Sequence, residues 1–156
     1  MRLEWSIQDA VVQKAFDMMK PSQIRPILRT GTRKGVTEIR KQAVANYKKI
    51  FKGSDRWRAI WAKNYARKNV IGAYVSLHSK RLNPRYDWGN KSPMLLVWLD
   101  RGTNERENKK GYYRGMMDDT GFFAKAVEAK MNQAEAVASK YINDGIIKKA
   151  KKLGFL

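Results

Sequence analysis

Two apolar stripes at helical spacing constrain this chain more than any other feature. Val36, Ile39, Ala43, Tyr47 and Ile50 recur every three or four residues, and so do Phe123, Val127, Met131, Ala134, Ala138 and Tyr141. A helix of about 3.6 residues per turn gathers each set on one side. The first stripe predicts a helix over residues 36–51, closed by Gly53, because glycine readily takes the left-handed turn that follows a helix. The second predicts a long helix opening at Phe122 and Phe123. Asp118, Asp119 and Thr120 stand where a helix start takes capping oxygens and negative charge, and Asn143-Asp144-Gly145 marks an end. Alanines at 124, 126, 129, 134, 136 and 138 keep that helix slim enough for close packing.

The period changes between the two stripes. Residues 69–79 alternate, and their β-branched and aromatic content predicts a strand with Ile71, Val75 and Leu77 on its apolar face. Residues 94–99 form an unbroken apolar run and read as a second, buried strand, antiparallel to the first because the connection lacks room for a crossover helix. Asp100-Arg101-Gly102-Thr103 ends that run with a turn. The loop that follows carries Tyr112, Tyr113, Met116 and Met117, residue types common at binding surfaces, although a hairpin folded back on the body would use them equally well.

Residues 5–19 predict a first helix capped by Ser6, with Pro21 stopping it or starting the next. Ile24, Ile27 and Leu28 form a short stripe with Pro26 in its first turn, and Gly31 and Gly35 read as a break around Thr-Arg-Lys. Ser54 and Asp55 cap a predicted helix to about residue 67, lined by Trp57, Ile60, Trp61 and Tyr65. Residues 80–93 read as loop, with Tyr86 and Trp88 as a short strand or a plug on the sheet edge. The expected fold is a single α+β domain over residues 1–156. It has N-terminal helices, a small antiparallel sheet with a protruding arm at 103–119, a long C-terminal helix packed on the sheet, and a short basic segment at 145–156.

The chain has no cysteine, which excludes disulfides and thiolate metal sites. Its first residues lack the apolar core of a signal peptide, and no apolar run approaches the roughly 18 residues of a membrane span, so a soluble, cytoplasmically made protein without a membrane partner is expected. The formal charge is +19, and residues 21–69 hold 14 bases against two acids, Glu38 and Asp55. So concentrated a field attracts polyanions or acidic surfaces. Arg40, Lys41, Lys48, Lys49 and Lys52 lie off the apolar stripe of their helix and face solvent, DNA or an acidic partner. Trp57 and Trp61 sit among bases as stacking platforms do, but their helical spacing favours core. Gly31 to Gly35 lacks the Walker pattern for phosphate. His78 is the single histidine and has no acid–base partner, and Asp118 and Asp119 are adjacent rather than facing. No catalytic residues, metal site or cofactor are expected, and an enzyme is the least favoured class.

The order of elements and the run Asp100-Arg101-Gly102-Thr103, loop, Gly121-Phe122-Phe123-Ala124-Lys125 resemble the tail-completion and head–tail joining proteins of long-tailed double-stranded DNA bacteriophages. In that family a strand typically ends in Glu, an aromatic, Gly and Thr, and the helix opens Pro-Phe-hydrophobic-Arg-Pro. Here arginine replaces the aromatic, both prolines are missing and the loop is longer. The resemblance spans roughly residues 10–150, with its sharp part about ten residues long. It implies a virion structural protein of the neck, assembled in the host cytoplasm as a six-fold or twelve-fold ring between connector and tail-tube or terminator proteins, with genomic DNA passing through the lumen. On that basis Asp100, Arg101, Thr103, Arg106, Tyr112, Tyr113, Met116 and Met117 would form the assembly interface. Arg40, Lys41, Lys48, Lys49 and Lys52 would face DNA or acidic neighbours. The competing reading is a basic nucleic-acid-binding protein, ribosome-associated or architectural, to which the charge points but no recognition motif does.

Overall fold

The computed structural model describes residues 9–67, 70–77, 95–105, 109–113 and 115–156. Helices α1 (Ala10–Met18) and α2 (Pro21–Ile50) lead through a 3-10 turn (Arg56–Ala59) into strands β1 (Trp61–Arg67) and β2 (Val70–Ser76). Helices α3 (Leu95–Arg101) and α4 (Phe122–Lys152) follow. The architecture is α+β, with a two-stranded antiparallel sheet and the long C-terminal helix packed on it. The chain divides into two compact units, one of residues 1–41, 62–75 and 129–156, the other of 42–61 and 76–128. Ser6, His78, Tyr86, Trp88 and Arg106 lie outside the described residues.

In the first unit, α1 is capped by Asp9, whose carboxylate accepts from the amides of Val11 (2.7 Å) and Val12 (3.4 Å). Pro21 takes the first position of α2, where a missing N–H costs nothing, and the Gln23 side chain accepts the Lys20 amide at 2.9 Å. Val12, Ala15, Met19 and Ile24 pack with Ile142, Ile146 and Ala150 of α4 into one buried cluster. Each large aliphatic side chain there contributes about 1.5–3 kcal/mol by leaving water.

Gly31 and Gly35 do not break α2. They are where α4 packs directly against the α2 backbone. A Cβ on Gly35 would lie 2.5 Å from the Ala134 carbonyl oxygen and 2.9 Å from the Ala138 Cβ. One on Gly31 would overlap the Ile142 side chain. Gly145 repeats the device from the other side, since a Cβ there would lie 2.6 Å from Ile27 Cγ2, so Asn143-Asp144-Gly145 packs within α4 instead of ending it. The helix ends at Lys152. Phe155 N–H then reaches the Ala150 carbonyl (3.0 Å), Gly154 N–H reaches Lys151 (3.2 Å), and Gly154 takes φ +72°. That is a Schellman turn with its apolar closure, because Phe155 packs on the cluster that holds Ala150.

The α4 seam holds at Ala134 and Ala138 as expected but shifts by one residue toward either end, to Phe122 and Ala126 before them and Ile142 after them. Phe122, Ala126, Ala134, Ala138, Ile142, Ile146 and Ala150 are buried, whereas Phe123, Val127 and Met131 are half-buried. Tyr141 is 45% exposed, under the Lys34 ammonium at 5.4 Å.

The predicted helix at 54–67 is instead a 3-10 turn and strand β1, so Trp57, Ile60, Trp61 and Tyr65 share no helical face. In β1, Trp61, Lys63 and Tyr65 fall on one face of the strand, and Tyr65 lies over Gly72 and 6.2 Å from Tyr74 on β2. β2 confirms the strand expected within 69–79, but its partner is β1. Of the run at 94–99, the described residues belong to helix α3. Val97 is its single β-branched residue, and Leu96 and Asp100, four apart, are its buried pair.

In the second unit the Tyr47 ring is buried between Phe51 (centroids 4.7 Å apart) and Phe122 (5.4 Å, edge-on). Its hydroxyl meets Ser54 Oγ at 3.0 Å, and Asn46 Nδ2 donates to the Phe122 carbonyl at 2.9 Å. Gly53 closes α2 at φ +77° as expected. Val36, Ile39, Ala43 and Tyr47 are buried as the stripe requires, while Ile50, at the helix end, is exposed.

Candidate assembly surface

The motif Asp100-Arg101-Gly102-Thr103 forms a clamp. The Asp100 carboxylate is buried and accepts from the Phe123 amide at 2.7 Å and the Ala124 amide at 3.4 Å. It therefore caps α4 from the end of α3, putting negative charge at the positive end of that helix. The Asp100 carbonyl takes the Gly121 amide at 2.9 Å, and the Thr120 hydroxyl donates to the Leu99 carbonyl. Asp118 and Asp119 remain exposed, so the capping expected of them falls to Asp100.

Gly102 has φ +72°, and a Cβ on it would lie 2.8 Å from the Met117 carbonyl oxygen. That close approach lets Thr103 and Met117 pair. The Thr103 amide donates to the Met117 carbonyl at 2.9 Å, and the Met117 amide donates to Thr103 Oγ1 at 3.0 Å. The two ends of the loop are thus stitched together at its base. Asp100 and the Thr103 hydroxyl are committed to this stitching and are not free contact groups.

Beyond the clamp, the loop's described aromatic side chains and Met116 are exposed. Tyr112 is 68% exposed, Tyr113 63% and Met116 57%. Between the loop base and α3 runs a groove of about 630 Å³. Trp98, Met116 and Met117 supply its apolar lining, Glu105, Asp118 and Asp119 its acids, and Arg101 is the one lining base. Trp98 had no signal in the sequence, because a buried strand would have hidden it. On a helix it lies away from the Leu96 and Asp100 side and faces solvent.

Of the predicted basic residues, Lys41, Lys48 and Lys49 occupy the side of α2 away from its buried stripe, as about 100° per residue requires, and Lys52 lies just beyond the helix end. Arg40 flanks the stripe and is half-buried. Lys41 pairs with Glu38 at 2.8 Å, and the Lys48 ammonium lies 4.0 Å from the centre of the Trp57 ring. Lys49 and Lys52 are exposed. The face of Trp57 that meets Lys48 is therefore occupied by a cation, not open to a base.

Among the described residues no group of three or more His, Asp or Glu is placed to hold a metal ion, and no helix is long and apolar enough to cross a membrane. No family model, curated protein or solved structure matches the chain.

Proposed function

We propose that this chain is a structural subunit of a bacteriophage neck, of the tail-completion or head–tail joining kind, working as a ring around the DNA channel. The clamp carries the reading. The same Asp100, Gly102 and Thr103 on which the resemblance rests tie down the base of an arm that presents Tyr112, Tyr113 and Met116 to solvent. A closed base spares a long loop part of its ordering cost, about 1–2 kcal/mol per residue, before a partner is met. The element before the motif is a helix where the resemblance implies a strand. Support therefore comes from the clamp and its arm, not from sheet layout. In the ring, connector and tail-tube or terminator proteins lie above and below, and the basic side of α2 meets DNA or their acidic surfaces.

A basic nucleic-acid-binding protein is the second reading, favoured by Lys48 and Arg58 at the Trp57 ring, with Lys49, Lys52 and Arg56 close by in sequence. The test is the mass of the nuclease-treated protein by light scattering at low and high salt, with electron micrographs of the same fractions. A ring-sized mass that persists at high salt is expected. A monomer at every salt concentration that binds one nucleic-acid sequence tightly would transfer the function to the second reading.

A further inference from the structure

Two copies of a chain with 33 bases and 14 acids repel each other over most of their surfaces. A stable contact between copies must therefore set an acid-rich patch of one against a base-rich patch of the next. The loop-base groove is such a patch. Glu105, Asp118 and Asp119 rim an apolar wall of Trp98, Met116 and Met117, with Arg101 the single base among the lining residues. All three acids are exposed, and none has an ion-pair or hydrogen-bond partner among the described residues.

The complementary chemistry is found at the end of α4. Lys148, Lys149, Lys151 and Lys152 fall within five residues, with no acid after Asp144. None of these lysines has a polar partner among the described residues. Leu156, 48% exposed, adds an apolar side chain four residues after Lys152. The other basic end, that of α2, is less available, since Lys48 already lies over Trp57 and Asp55 follows close behind.

We infer that the groove at the loop base receives the lysine-rich end of α4 from a second copy of this chain, the lysines meeting Glu105, Asp118 and Asp119 and Leu156 entering against Trp98 and Met116. Such a contact joins two different patches, so it propagates head to tail and closes into a ring when the rotation per subunit allows. The inference rests on the ring reading above and names the surfaces that make the ring.

The experiment is a charge swap followed by sedimentation. One variant carries Glu105→Lys, Asp118→Lys and Asp119→Lys; the other carries Lys148→Glu, Lys151→Glu and Lys152→Glu. Each alone should self-associate at least about ten-fold more weakly than the parent, because like charges now face each other. Mixed one to one, they should assemble again, alternating, because every contact once more joins opposite signs. That recovery also shows that both variants are folded. If the parent assembles and the groove variant assembles equally well, the contact lies elsewhere and the inference falls while the ring reading stands. A parent that stays monomeric at every concentration overturns both. Loss in both variants without recovery on mixing overturns the pairing of these two patches.

Discussion

Asp100 sits near the end of a seven-residue helix, yet its carboxylate serves an amide 23 positions further along the chain. Removing the carboxylate takes the acceptor away from the Phe123 and Ala124 amides at the partly buried start of α4. Asp100→Ala should therefore lower stability by about 1–3 kcal/mol. Asp100→Asn keeps an oxygen in place and should lose distinctly less. Urea unfolding with an unchanged slope and a shifted midpoint is the readout. An alanine variant as stable as the parent would mean that the cap is dispensable. Only part of this role was legible beforehand. The Gly-Thr turn was visible, but a cap that acts across a loop leaves no local spacing to read. Asp118, Asp119 and Thr120, adjacent to the helix, looked like the natural candidates.

At the scale of elements, the pairing of α2 with α4 depends on the absence of side chains. Replacing a helical glycine by alanine normally stabilises by up to about 1 kcal/mol. Gly35→Ala should do the reverse and destabilise by about 1–3 kcal/mol, because the new methyl meets the Ala134 carbonyl oxygen, which belongs to a helical backbone and has no cheap way to move. A higher unfolding midpoint for this variant would refute the close approach. The elements read correctly from sequence were those with a sustained period: the stripe from Val36 to Tyr47, the long helix opening at Phe122, and the alternation in β2. The run at 94–99 is shorter than two helical turns, so its period is not defined, and a leucine-rich stretch of that length suits a strand or a helix equally. Trp57, Ile60, Trp61 and Tyr65 satisfied helical spacing by coincidence, because a separation of four returns Trp61 and Tyr65 to one face of a strand as well as of a helix. Gly31 and Gly35 were misread for a different reason. A glycine that admits a neighbouring helix looks the same in sequence as one that ends its own.

For the whole molecule, charge decides which partners are approached and salt decides how firmly they are held. The surplus is concentrated in residues 21–69; the side of α2 away from the core carries Lys48 and Lys49 near its end, and Lys52 follows just past it. Any contact of this side with duplex DNA displaces condensed counterions, so the logarithm of the binding constant should fall linearly with the logarithm of salt concentration, by about 0.9 for each phosphate neutralised. Replacing Lys48, Lys49 and Lys52 by glutamine should make that slope shallower by up to roughly 0.9 per lysine in contact, and equally so on duplexes of unrelated sequence. Fluorescence anisotropy of labelled duplexes across a salt series measures both quantities. A ring subunit that lets DNA slide through needs such weak, sequence-blind attraction, because a strong preference for one sequence would stall the passage. Equal slopes for parent and variant would remove this side of α2 from the DNA contact. A preference of one duplex over another that persists at high salt would contradict the proposed channel role.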